Sequence, residues 1–258
     1  MTHGICLHTI IPMRAEPAHK SEQISQLLYG ECFLVLEKRG QWLFIKCAHD
    51  GYEGWIDKIQ CRYILESDFE ALMKSEKYYA IDIVQMITCP AQPTWHQMVV
   101  QGSVFYNLNK QSFNLLGEEY QIGGQVLKQQ TNKSTILEHA FSYINAPYLW
   151  GGRSHFGIDC SGFSQIVYML AGYQLPRDAK DQAKLGETLS FIEEAEPGDL
   201  AFFDNEDGNI VHVGIIMADN YIIHASGKVR MDRLDQYGIA NNELKTHSHR
   251  LRVIKKIF

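Results

Sequence analysis

The chain has 258 residues, a formal net charge of −6 and a 45% share of apolar side chains, enough for one large domain or two to three smaller ones. Its basic residues are scattered apart from the tail around Arg250, Arg252, Lys255 and Lys256, which argues against nucleic acid as a partner. No run of about 20 apolar residues occurs, and MTHGICLHTIIPMRAEP lacks the pattern of an export signal, so the expectation is a soluble, cytoplasmic protein without membrane association.

In residues 4–64, ECFLVLEKRG, QWLFIKCAHDG and GWIDKIQCRYI are β-rich runs broken at Gly30, Arg39-Gly40 and Asp50-Gly51, a pattern of hairpins in a small barrel. Trp42 and Trp55 read as barrel packing. The stretch from Met13 to Ile64 resembles a bacterial SH3-like domain, with Trp42 and the Gly54-Trp55 pair at characteristic positions. The first domain is accordingly placed at 1–65.

Residues 66–130 offer a helical candidate, DFEALMKSEKYY, then strand-like pieces IDIVQMI, GSVFYNL and EYQIGGQVL. They read as a linker helix and a degenerate second SH3-like domain. KQQTNKS is polar and suits a linker, with Ser134 as candidate N-cap for TILEHAFSYIN. The third domain, 131–258, shows a helix, a glycine-rich loop, a second helix over about 161–172, then strands at DLAFFD, IVHVGIIM, YIIHASG and RVIKKIF. Helices followed by strands describe an α+β fold with an antiparallel sheet.

The six cysteines form no C-x-x-C pair, so zinc-finger spacing is absent and free thiols are expected in a reducing compartment. Cys32, Cys47 and Cys89 sit among apolar neighbours and read as small core residues. His3 with His8, and His247 with His249, have no third ligand at motif spacing, so neither metal nor cofactor is expected.

Cys160 stands apart. Phe163, Ile166, Val167 and Leu170 predict an amphipathic helix beginning at Cys160 or Ser161, with its unpaired N–H groups and positive dipole end at the sulfur. A nucleophilic thiolate needs such a site and a base. A buried cysteine opening a core helix is the alternative reading of this stretch alone. His212 and His224 lie on two strands separated by ADN. A three-residue loop sets residue 217 opposite 221, which puts both histidines on one face at a diagonal spacing of roughly 7–8 Å; a two-residue loop puts them on opposite faces. Cys160 would then be nucleophile, His212 general base and His224 the residue that orients it.

YLWGG, DCSGF, LPRDA, PGDLAFF, HVGIIM and YIIHASG, occurring in that order over 134–258, resemble the NlpC-type papain-like cell-wall cysteine peptidases. The resemblance implies a papain-like catalytic domain behind SH3-like small β-barrels and a triad of Cys160, His212 and His224. It also implies hydrolysis of the γ-D-glutamyl-diamino acid bond of murein peptides. The SH3-like start and the GGR, DCSG and LPRDA arrangement resemble the subgroup that takes peptides with a free N-terminal L-alanine, in murein peptide recycling. By that resemblance Tyr148 donates to the oxyanion together with the Cys160 N–H, and Arg177 and Asp178 flank the cleft, Asp178 meeting the substrate ammonium. Asp159 and Ser161 complete the candidate contacts on this side, and Tyr52 of the DGYEGW loop caps the cleft. Many relatives carry serine where this chain has Ala179, which bears on fine specificity. An exported hydrolase of polymeric murein and a non-catalytic murein-peptide binding protein are the competing readings.

Overall fold

In the computed structural model, residues 2–241 and 246–257 are described; Phe258, the expected end of the last strand, lies outside the described residues. The chain divides into two compact units, Met1–Gln130 with Trp150–His155, and Thr131–Leu149 with Phe156–Phe258.

The first unit opens with seven strands, β1 (Thr2–Ile5), β2 (Ile10–Arg14), β3 (Gln23–Leu28), β4 (Cys32–Arg39), β5 (Trp42–Cys47), β6 (Glu53–Asp57) and β7 (Arg62–Ile64). They form one antiparallel sheet in the order β3-β2-β6-β5-β4-β1-β7. Alternation along the strands sends Ile11, Met13, Phe33, Val35, Leu43 and Ile45 into a common core, and Trp42 and Trp55 are buried beside it.

Helix α1 (Glu66–Lys74) is shorter than the sequence suggests. Tyr78 and Tyr79 leave it for β8 (Lys77–Ala80), where aromatic side chains suit a pleated surface better than a helix. Six further strands follow: β9 (Val84–Cys89), β10 (Gln92–Val100), β11 (Val104–Tyr106), β12 (Ser112–Leu115), β13 (Glu118–Ile122) and β14 (Val126–Lys128). They make two sheets, β10-β9-β13-β12 and β11-β8-β14. EYQIGGQVL is therefore split between sheets at Gly123-Gly124, and a Cβ at Gly124 would stand 2.6 Å from atoms of Asp82 and Gln85.

The segment Trp150–His155, with the short strand β15 (Arg153–Ser154), belongs to this unit. Arg153 is buried and forks onto Glu31, with Nη1 to Oε2 at 2.8 Å and Nη2 to Oε1 at 2.9 Å. Nη1 also donates to the Gln26 carbonyl at 2.7 Å. Burial alone would raise the Glu31 carboxyl, but Arg153 and then His49 hold it below its ordinary value. Gly151 makes the approach possible, since at φ +73° a Cβ there would meet the Gln23 carbonyl oxygen at 2.4 Å.

The second unit carries α2 (Ile136–Ser142), β16 (Gly157–Ile158), α3 (Cys160–Leu170) and α4 (Ala179–Gln182). The cap expected from Ser134 is displaced: Asn132 caps a short 3-10 turn by accepting from the Ser134 N–H, and Thr135 precedes α2. Seven strands follow, β17 (Glu187–Leu189), β18 (Leu200–Asp204), β19 (Ile210–Met217), β20 (Tyr221–Ser226), β21 (Lys228–Asp235), β22 (Gly238–Asn241) and β23 (Thr246–Lys256). Their order is β17-β23-β18-β19-β20-β21-β22, and a further β22–β23 pairing closes six of them into a ring. Ala201, Phe203, Ile216, Ile222, Leu234, Ile239 and Ile254 fill it. All eleven residues of α3 are buried. Among the described residues, no helix is long and apolar enough to cross a membrane.

Replacing Arg153 by Met leaves the Glu31 carboxylate buried without its fork and should cost about 3–5 kcal/mol. Urea unfolding followed by circular dichroism measures it, and the double variant Arg153→Met/Glu31→Gln should recover part of the loss. A loss below about 1 kcal/mol would show that the pair is not what holds this segment in place.

Candidate active site

Cys160 is the first residue of α3, and Asp159 is its N-cap, accepting from the Gly162 N–H at 2.7 Å. Asp159 is in turn clamped by Arg177, with Nη2 to Oδ2 at 2.6 Å and Nη1 to Oδ1 at 3.0 Å, and Nη1 also reaches Ser161 Oγ at 2.9 Å. Arg177, expected to flank a cleft, is instead 2% exposed. Its guanidinium, with Asp159 and Ser161, builds the first turn of α3 rather than a cleft wall. Gln182 ties the same turn to α4, accepting from Ser164 Oγ at 2.7 Å and donating to the Ser161 carbonyl at 3.0 Å.

The strands bring the histidines together. Met217 lies opposite Tyr221 and Gly214 opposite His224, so the three-residue loop sets the register anticipated from the sequence. Asp219 and Asn220 carry the turn at φ +58°, a conformation that these two residue types tolerate. His212 is two residues from the partner of His224, on the same face, and its Nε2 is 2.8 Å from His224 Nδ1. Gly214 makes room for this: a Cβ there would stand 2.9 Å from His224 Cβ and 2.6 Å from Ile222 Cδ1.

Two side chains that the sequence reading did not assign complete the group. Asp232 Oδ2 lies 2.9 Å from His224 Nε2. The ring of His249, on β23, stacks on His212 with centroids 4.1 Å apart and planes inclined by 25°. Asp232 was missed because KVRMDRLD mixes charged and apolar residues too evenly to declare a buried face. The one local signal is Gly227, at φ +69°, which turns the chain so that Ser226 pairs with Lys228 and β21 begins at once. His249 was considered as a metal ligand lacking partners, since His-x-His on a strand carries no signal of what lies beneath it.

Burial pushes the Cys160 thiol up to about 12, and the Asp159 carboxylate adds to it; the Val213 and Ser161 N–H groups and Arg177 oppose. The helix terminus thus acts in the expected direction and is outweighed by desolvation. Burial also holds His212 well below its ordinary value, and the neighbouring His249 and His224 reinforce this. The thiol and the imidazole therefore both rest in their neutral forms. Tyr148 is half-buried, its hydroxyl pushed up to about 12 first by burial and then by Cys160 and Asp159, and it is held by a bond from its N–H to the Gly227 carbonyl at 3.0 Å. Asp178 stands at the head of α4 without a side-chain cap bond, and its Oδ2 is 3.8 Å from Lys180 Nζ. Tyr52 follows Asp50 in the loop before β6 of the first unit, its N–H bonded to Asp50 Oδ1 at 2.9 Å, and packs against the barrel core.

This arrangement offers a thiol at a helix start, a neutral imidazole in a line of polar groups, and the Val213 and Ser161 N–H donors at the sulfur, the parts of a cysteine hydrolase. Comparison with known proteins agrees. Residues 145–247 match the NlpC/P60 family and residues 13–60 match the bacterial dipeptidyl-peptidase Sh3 domain. The chain is 27% identical to the Gamma-D-glutamyl-L-lysine dipeptidyl-peptidase of Bacillus subtilis, over 78% of this chain and 71% of that one. It is 26% identical to Dipeptidyl-peptidase 6 of Lysinibacillus sphaericus, over 95% and 96% of the two chains. The fold is shared with a crystal structure of an NlpC/P60 family protein from Bacillus cereus, at a TM-score of 0.83 and 17% identity, with 99% of both chains covered. The chain therefore carries an NlpC/P60 domain of papain-like fold behind an SH3-like domain, and is a cysteine peptidase.

Proposed function

We propose that this peptidase hydrolyses the γ-D-glutamyl-diamino acid bond of murein peptides whose N-terminal L-alanine is free, and that it serves the recycling of such peptides in the cytoplasm. The observation that carries the reading is the 2.8 Å contact with His224 made by His212, on the strand whose Val213 N–H meets the Cys160 sulfur, in a chain that aligns with nearly all of a relative named dipeptidyl-peptidase. A second relative is named for the γ-D-glutamyl-L-lysine bond. A dipeptidyl-peptidase counts from a free amine, and in the intact wall that amine is acylated.

In the proposed reaction His212 takes the Cys160 proton through Nδ1, the nitrogen not turned to His224, as the sulfur bonds to the scissile carbonyl carbon. Because both groups rest neutral, proton transfer accompanies attack rather than preceding it. The oxyanion is met by the Tyr148 hydroxyl and the N–H at the start of α3. His212 then returns the proton to the departing amine of the diamino acid, and water, deprotonated by the same imidazole, releases the dipeptide from the thioester. Asp178 supplies the carboxylate for the substrate ammonium; it follows directly on Arg177, which is pinned to the first turn of α3.

Three outcomes test the reading. Incubated with L-Ala-γ-D-Glu-diaminopimelate and its N-acetylated form, the wild type should release the dipeptide only from the free-amine peptide, as mass spectrometry would show, and Cys160→Ala should release none from either. Equal cleavage of both would favour a wall hydrolase, and turnover by Cys160→Ala would end the thiol mechanism. In Gly214→Ala the new methyl group displaces His224, so kcat should fall by about 10-fold or more, because the base loses its orienting bond, while circular dichroism stays close to wild type; undiminished kcat would show that the His212–His224 contact is dispensable. The third concerns pH. His212 must be neutral to act, and its depressed pKa keeps it neutral below 6.5. The plateau of kcat/KM should therefore extend below pH 6.5, and an acid limb centred at or above that value would contradict the assignment of the base.

A further inference from the structure

We propose that Asp232, held by Arg230, is a positioning residue that fixes the tautomers of His224 and His212 and so extends the catalytic line to a fourth member. The proposal rests on the reading of Cys160 and His212 as nucleophile and base. Its basis is a geometric repeat across three adjacent strands. Gly214 lies opposite His224, so His212 is offset by two residues from the partner of His224. His224 lies opposite Arg230, and Asp232 is again offset by two. Each step puts the next group diagonally across the same sheet face, and each is closed by a short contact, 2.8 Å between the imidazoles and 2.9 Å from His224 Nε2 to Asp232 Oδ2.

The direction of the protons follows from the terminal group. Asp232 accepts from Arg230 Nε at 2.7 Å and from Arg230 Nη2 at 2.8 Å. Burial would raise its carboxyl, but its bonds to His224 and Arg230 hold it down, so it is ionised and can only accept. His224 must then carry its proton on Nε2. In the neutral ring its Nδ1 is an acceptor, which obliges His212 to donate from Nε2 and leaves the lone pair of His212 on Nδ1. That nitrogen is the one required to receive the thiol proton. Without an obligate acceptor at the end of the line either tautomer fits, and half of them cannot take a proton from sulfur.

Arg230 matters because it fixes which way Asp232 faces: with both carboxylate oxygens engaged, the side chain cannot rotate away from His224. A cavity of about 50 Å³ adjoins this end of the line, lined by His224, Ser226, Arg230, Asp232, Ala240 and Ser248. It leaves space for one further methylene, so glutamate is a conservative replacement at 232. Asparagine is not, because its amide must set a donor either against Arg230, which donates already, or against His224 Nε2.

The test combines ¹⁵N NMR of the imidazoles with kinetics, for the wild type, Asp232→Asn and Asp232→Glu. Spectra are recorded without substrate in a Cys160→Ala background, so that they report on Asp232 whether or not the substrate assignment holds; failure of that assignment would show instead as no cleavage by the wild type. The expected spectrum at neutral pH has both His212 and His224 protonated on Nε2, with mixed or inverted tautomers in Asp232→Asn and the original pattern in Asp232→Glu. With Cys160 present, Asp232→Asn should lose about 100-fold in kcat, the scale of general acid–base catalysis, at a KM within about threefold of wild type, and Asp232→Glu should regain most of it. A wild-type spectrum with His224 protonated on Nδ1 overturns the proposal regardless of how the variants fold. So does an Asp232→Asn protein with unchanged tautomers and kcat, which would reduce Asp232 to an ion-pair partner of Arg230.

Discussion

The pairing of β19 with β20 is the constraint on which the site depends. A side chain in a strand changes face with every one-residue slip, so the contact between His212 and His224 exists in the observed register and is lost in either neighbouring one. Three features hold that register. The loop Ala218–Asn220 has three residues and accepts left-handed conformations at Asp219 and Asn220. Ile215 and Ile216 on one strand, and Ile222 and Ile223 on the other, are buried, and any slip would exchange their faces. Gly214 leaves the gap into which His224 fits. The chemistry of the site is in this sense a consequence of how an apolar hairpin pays its burial.

Much of this was legible before the structure. DCSG at the start of an amphipathic run placed Cys160 at a helix terminus, and the ADN tripeptide offered the observed register as one of two, because both depend on local periodicity and turn chemistry. Helix α1 was read too long because EALMKSEKYY keeps helical spacing through Tyr79, and only the pairing of Tyr78 and Tyr79 with β11 and β14 removes them from it. Asp232 and His249 were not legible for a related reason. Each lies in a strand that mixes charged and apolar residues, and each acquires its role from a residue on another strand, His224 for Asp232 and His212 for His249, which a propensity argument does not see. Arg177 illustrates the converse: LPRDA marked it out, but a charged residue in a loop reads as exposed, and its burial follows from its pairing with the buried carboxylate of Asp159.

That carboxylate raises a question about the thiol. Asp159 is needed to cap α3, yet as an anion beside Cys160 it disfavours the thiolate. Arg177 offsets it with two short bonds, leaving a near-neutral pair whose dipoles orient the first turn without setting a full charge next to the sulfur. Burial then decides the protonation state of the cysteine.

In the proposed reaction a neutral resting pair of Cys160 and His212 has a mechanistic advantage that follows from the same burial. A preformed thiolate-imidazolium pair would have to be desolvated at rest, and in this apolar setting two separated charges are expensive. Held neutral, the pair incurs that cost only as the carbonyl is attacked, when the developing oxyanion and imidazolium are met by donors and acceptors already in place. The histidines serve this timing in different ways. His249 covers one face of His212 and keeps solvent from it, which favours the neutral ring. His224 meets its Nε2, backed at its own Nε2 by Asp232, and this line becomes a better partner as the ring gains charge. The stacking ring thus protects the resting base, while the hydrogen-bonded line stabilises the protonated one, and the difference between the two acts on the transition state rather than on the ground state.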